Sequence, residues 1–127
     1  MKTPRQKQVD KLDKLFSQYI RKKAIKLVGG CQRCLTPKKS YKELQCIHFH
    51  SRRKMTVRFH ENNAIGGCGA CHLYLHGNPH DAVTFWQKHL GDEYDRLYIL
   101  AQMTTKQSPI DMAMVEVYLK ELLKEVT

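Results

Sequence analysis

Cys68-Gly69-Ala70-Cys71-His72-Leu73-Tyr74-Leu75-His76-Gly77 places two thiols and two imidazoles on one short stretch. An earlier pair, Cys31-Gln32-Arg33-Cys34, is separated from it by 33 residues, positions 35 to 67. Four thiolates in two Cys-x-x-Cys knuckles can close a tetrahedral structural zinc site. His72 and His76 are four positions apart, so on a helix they share a face and can hold a second metal that keeps open positions. A closed metal beside an open one, in a strongly basic chain, points to metal-assisted cleavage of a phosphodiester.

The basic character is concentrated around the first knuckle. Of 127 residues, 22 are Lys or Arg and 12 are Asp or Glu, a formal net charge of +10. Residues 1–60 hold 17 of the cations and 3 of the acids, a net of +14; residues 61–127 hold 5 and 9, a net of −4. Such an N-terminal half calls for a polyanion as partner. A membrane surface fits less well, because no basic amphipathic stretch presents Trp or Phe on its apolar face. The first thirty residues lack the apolar core of a signal peptide, and no run approaches the roughly 18 apolar residues of a membrane span. An intracellular, cytoplasmic protein is expected. In a reducing compartment, five cysteines favour metal ligation over disulfides. Cys46, the odd one, reads as a small buried hydrophobe on a strand.

Outward from the knuckles, the chain reads as helices. Thr3 and Pro4 make an N-cap and first helical position. Val9, Leu12, Phe16, Tyr19, Ile20, Ala24 and Ile25 then recur at helical spacing until Gly29-Gly30. The outer face of this helix carries Arg21, Lys22 and Lys23 among other cations, placed for phosphate contact. Between the knuckles, residues 43–49 alternate weakly and predict a strand, and Thr56-Val57-Arg58-Phe59 predicts a second. Ser51-Arg52-Arg53-Lys54 is a basic loop between them, and His60-Glu61-Asn62-Asn63 a polar turn after them. A helix is expected from near Cys71 to Gly77-Asn78-Pro79. Further helices follow over Pro79–His89, after an Asp92 cap, and from Ser108-Pro109-Ile110-Asp111 onward.

Phosphodiester hydrolysis needs a base for the attacking water, a cation for the phosphoryl charge, and help for the departing oxygen. His48 on the first predicted strand can be the base, because imidazole titrates near neutrality. A divalent ion on His72 and His76 can serve the other two needs, and the Asn63 amide can fix the connecting loop or contact the metal. Arg52, Arg53, Lys54 and Arg58 are placed to meet phosphates, although Arg58 could instead be a buried ion-pair partner. His60, His80 and His89 read as surface or packing residues.

The order Cys-x-x-Cys, His48, Asn63, Cys-x-x-Cys-His72, His76 resembles the HNH endonucleases of the ββα-metal fold. Within that group, His48-Phe49-His50-Ser51-Arg52, Val57-Arg58-Phe59-His60-Glu61-Asn62-Asn63, Cys68-x-x-Cys71 and Gly77-Asn78 look like the phage NinG-type recombination proteins. The likeness covers about residues 15–100. It implies His48 as general base, Asn63 as the central Asn, and His72 and His76 as ligands of a catalytic Mg²⁺, Mn²⁺ or Zn²⁺. It also implies DNA as substrate, with branched DNA in phage recombination as one setting. One position departs from the pattern. Many HNH nucleases use an Asp or His just before the base as a ligand, and here that residue is Ile47. Water would then complete the shell, or His50 would contribute. The expected class is α+β, mainly helical. A ββα-metal core with a four-Cys zinc site (31–78) sits between a basic helix (1–28) and C-terminal helices (79–127), in a single domain. Two other readings use the same residues: a non-catalytic zinc-ribbon DNA-binding module, and an adaptor that binds a partner through its acidic C-terminal helices.

Overall fold

In the computed structural model, which describes all 127 residues, the longest element is α1, Pro4–Val28. Its start is set by a complete capping box: the Thr3 hydroxyl accepts from the Gln6 N–H, and the Gln6 side chain accepts from the Thr3 N–H. Its end is set by Gly29, whose left-handed φ of 69° lets its N–H close on the Ile25 carbonyl. The same chemistry frames the last helix, α5, Pro109–Val126, where Ser108 and Asp111 form the box. Between them lie β1 (Gln45–His48), β2 (Ala64–Gly67), α2 (Gly69–Gly77), α3 (Pro79–Leu90) and α4 (Glu93–Gln102). The protein is thus mainly helical, with one small sheet. No helix is long and apolar enough to cross a membrane.

α1 and α5 run parallel. Near the start, the Arg5 guanidinium donates to the Gln107 carbonyl and Gln8 to Pro109; near the end, Lys26 donates to Glu125. Leu12, Phe16, Tyr19 and Ile20 of α1 bury against Met112, Leu119 and Leu122 of α5. The other side of α1 receives the sheet. β1 and β2 pair antiparallel, with Ile47 opposite Ile65 and His48 opposite Ala64. Gly66 makes the fit possible: a Cβ there would stand 2.6 Å from the Ala24 Cβ and 3.2 Å from the Arg21 Cα. α3 and α4 close the remaining side of the sheet, through clusters centred on Ile47, Ile65, Leu75 and Trp86 and on Val57, Leu97 and Ala101.

The second strand is not where the apolar alternation puts it. Residues 56–59 are turns, and the partner of β1 is Ala64–Gly67. Across the 49–63 connection the backbone bonds run Lys54 to Ser51, Val57 to Lys54, His60 to Val57 and Asn63 to His60, each spanning three residues. Val57 and Phe59 alternate because this winding loop drops each into a different cluster. β2 is hidden from propensity by its glycines, which are poor strand formers. They are tolerated because the strand is buried along its whole length against α1 and Ile47. The predicted helices agree with those observed. Asp92 holds the cap position of α4, but its side chain makes no cap bond.

Candidate metal centre and cleft

The two knuckles meet. The sulfurs of Cys31, Cys34, Cys68 and Cys71 all lie within 4.8 Å of one another, a group that could hold a metal ion. A tetrahedral zinc with Zn–S near 2.3 Å requires sulfurs about 3.8 Å apart. Cys34 and Cys68 stand 3.8 Å apart. The first knuckle is a tight return in which Leu35 takes φ 61° and Gly30 sits against Thr36. The Cys31 sulfur accepts from the Cys34 N–H at 3.5 Å, and the Cys68 sulfur from the Cys71 N–H at 3.4 Å. Cys68 is thereby the N-cap of α2. The Arg33 guanidinium donates to the Cys71 sulfur at 3.4 Å and lies over the Tyr74 ring. It offsets part of the negative charge that four thiolates bring. Without a cation among them the thiols diverge: hydrogen bonds from Thr36 draw Cys34 down to about 6, and burial pushes Cys71 up to about 12. A common cation removes that conflict, because it favours the thiolate at all four positions.

The histidines gather further along the same helix. His48 from β1, His72 and His76 from α2 and Arg52 from the loop line one open cleft of about 600 Å³, with Asp13 and Ser17 of α1. The His48 imidazole packs against Phe16, its ring centre 5.7 Å away, and its buried Nε2 has no hydrogen-bond partner. Burial and then the Arg52 charge push its pKa down to about 4, so it is neutral at physiological pH. The His72 ring is held by Gln45, Nδ1 to Oε1 at 2.6 Å.

Asn63 is fully buried just before β2. Its carbonyl accepts from the His50 N–H at 2.8 Å and its amide donates to the His50 carbonyl at 3.1 Å. Of the two roles open to it, it fills the loop-fixing one: both ends of the amide are engaged, and neither faces the cleft. It is a positioning residue. His50 does not line the cleft. Its ring lies 4.0 Å from Phe49 and 6.4 Å from Tyr98, towards α4, which removes it as a ligand beside His72 and His76. Arg58 is likewise turned from phosphate contact to the ion-pair alternative. Its guanidinium binds Asp13 through two bonds of 3.0 and 2.6 Å and donates a third to the Arg52 carbonyl. This pair straps the basic loop to α1.

Arg52, Arg53 and Lys54 are exposed and have no acidic partner. Arg21 and Lys22 both stand 5.1 Å over the Tyr41 ring, and Lys23 lies over Tyr19. Cys46 is half-buried, packs on the α1–α5 cluster and borders the cleft, and burial raises its thiol to about 12. His89 stacks on Phe85 and His60 accepts from the Asn62 N–H, both packing roles. Asp13, Ser17, Gln45 and Arg33 were not legible as site residues. Asp13 alone carried a signal, as one of three acids in a half with 17 cations. Comparison of the chain with protein-family models, with curated proteins and with solved structures returns no match.

Proposed function

We propose that the protein is a metal-dependent endonuclease of the HNH type, stabilised by zinc on its four cysteines and acting on DNA phosphodiesters. The observation that carries this is the grouping of an unpartnered, neutral imidazole on β1 with two imidazoles on α2 and a free arginine, all around one open cleft. The succession β1, loop, β2, α2, with His48 ending β1 and Asn63 preceding β2, agrees with the ββα-metal arrangement that the sequence resembles.

His48 would take the proton of the attacking water through the imidazole that lines the cleft. It is available because its environment resists protonation. Arg52 would neutralise the phosphate as it enters, with its backbone held by Arg58. Asn63 keeps the turn after β1 in one shape, so that His48 does not wander from the cleft. His72 and His76 would hold the catalytic divalent ion, whose contribution is to stabilise charge on the phosphoryl group and the departing 3′ oxygen. The donor chemistry fits zinc best, since imidazole nitrogens suit it, and water can complete the shell.

The test is direct. Purified protein is incubated with plasmid, linear and four-way-junction DNA in Mg²⁺, Mn²⁺ or chelator, the junction standing for the branched DNA of phage recombination. Cleavage should need the divalent ion. His48→Ala should lower it by roughly 10²–10⁴-fold, the usual range for a general base, with zinc content and DNA affinity unchanged. If no DNA is cut under any of these conditions, the protein is better described as a DNA-binding module built on a four-cysteine metal.

A further inference from the structure

The cleft does not end at Arg52. That side chain also lines a second concavity of about 520 Å³, with Arg5, Arg53 and Met55, beside the N-terminal half of α1. Arg5 in turn lines a third, of about 580 Å³, with Lys106 and the start of α5. Each hollow shares a side chain with the next, so the three succeed one another along α1 as an interrupted trough from His48 to Lys106.

Its charge is one-sided. Two carboxylates of α1 face it, Asp10 and Asp13, and each has a cation of its own, Lys2 and Arg58 respectively. Arg52, Arg53 and Lys106 have no acidic partner, and Arg5 gives one N–H to a neutral carbonyl and keeps its charge. The trough is therefore cationic by four. On the opposite side of His48 the wall changes. A recess of about 300 Å³ shares His48, His72 and His76 with the cleft, then runs to Pro79, Val83 and Trp86 without a Lys or Arg.

We propose that the trough holds the sugar-phosphate backbone of DNA on one side of the scissile phosphate, so that the protein grips its substrate asymmetrically. This rests on the proposed nuclease function for what lies in the cleft, while the trough's charge stands apart from it. Ser17 in the cleft and Arg5 at the far hollow are twelve positions apart on α1 (17 − 5), about 18 Å at 1.5 Å per residue. Duplex DNA advances about 3.4 Å per phosphate on each strand, so the grip spans about five base pairs. Arg5 and Lys106, on opposite ends of the sequence, become substrate contacts that neither basic run foretells.

Two measurements test it. Binding of a fluorescein-labelled 20-base-pair duplex is followed by anisotropy across a salt series without divalent ions. The variant combines Arg5→Ala, Arg53→Ala and Lys106→Ala. Three lost phosphate contacts should flatten the log–log salt slope by about 2.7, at about 0.9 per contact, and weaken binding by roughly tenfold or more at moderate salt. An unchanged slope overturns the trough. Should the triple variant fold poorly, Arg53→Ala and Lys106→Ala singly should each flatten the slope by about 0.9. In the second measurement, cuts in end-labelled duplexes are mapped. Along the single labelled strand, wild type should cut close to one terminus but not within about five nucleotides of the other, and the variant should lose that exclusion. Cuts equally near both termini of that strand overturn the asymmetry. A wild type that binds with the expected slope yet cuts nothing defeats the nuclease function and leaves the trough standing.

Discussion

α2 carries a closed site at its first turn and an open one along its length, and the two differ in every physical respect. The four sulfurs face each other within 4.8 Å, with peptide N–H groups and Arg33 already bonded to them. The histidines line an open cleft of about 600 Å³, and the buried Nε2 of His48 is bonded to nothing. Structural metal sites are saturated by protein ligands, whereas sites that do chemistry keep positions free. A short helix anchored by the first kind of site can present the second kind rigidly.

The strongest way to break this contrast is to remove a sulfur. Cys71→Ser should release the metal and unfold the protein at much lower temperature, because a metal held only in the fold contributes its binding energy to folding. Metal content and thermal melting check it together. A full metal complement with unchanged melting would mean that the thiols cluster for packing alone. A smaller effect is expected at Asn63. Asn63→Ala leaves the N–H and carbonyl of His50 without partners in a buried place, a cost of about 2–4 kcal/mol. Urea denaturation should show that loss with metal retained, placing Asn63 outside both sites as the brace between them. Asn63→Asp, which keeps the acceptor and loses the donor, should fall between.

The smallest effect sharpens the open side. The folded pKa of His48 is depressed to about 4 from an ordinary 6.5. Below 6.5 the unfolded chain binds a proton that the folded one refuses. Stability from this group is therefore complete above about pH 6.5 and is lost as pH falls toward 4. His50 and His89, also lowered by burial, act in the same direction. His48→Gln should reduce the slope of melting temperature against pH in this window. If His48 is the base, the acid limb of cleavage should likewise fall near pH 4 rather than 6.5. A limb that stays near 6.5 would assign the proton to an exposed imidazole instead.

Both sites differ too in how they could be read from the chain. The knuckles were legible because thiol spacing alone limits what four cysteines can do, and Thr3-Pro4, Gly29 and Ser108-Pro109 were legible because caps are local. His48, His72 and His76 come together around one cleft. What failed was everything decided by long-range packing. Val57 and Phe59 mimic a strand while belonging to separate clusters. Gly66 looks like a breaker, but only a glycine lets β2 approach α1. For Arg58 the sequence leaves phosphate contact and a buried ion pair both open, and Asp13, 45 positions away, decides for the pair. His50 sits two residues beyond His48 yet turns toward α4, because Asn63 holds its backbone and Phe49 and Tyr98 flank its ring.

The parallel pairing of α1 with α5 bears on the order in which the protein assembles. Arg5 reaches Gln107 across 102 positions, whereas Cys34 and Cys68 are only 34 apart. Closing the longer loop costs more chain entropy and must wait for contacts that shorten it. The metal-binding middle is thus expected to form first, with α5 docking later over Leu12, Phe16 and Tyr19. Until it does, α1 offers a bare apolar stripe on a cationic rod. A chain stalled at that stage would be prone to self-association and to premature attraction to nucleic acid. In native-state hydrogen exchange, α5 amides should open at lower free energy than those of β1 and β2.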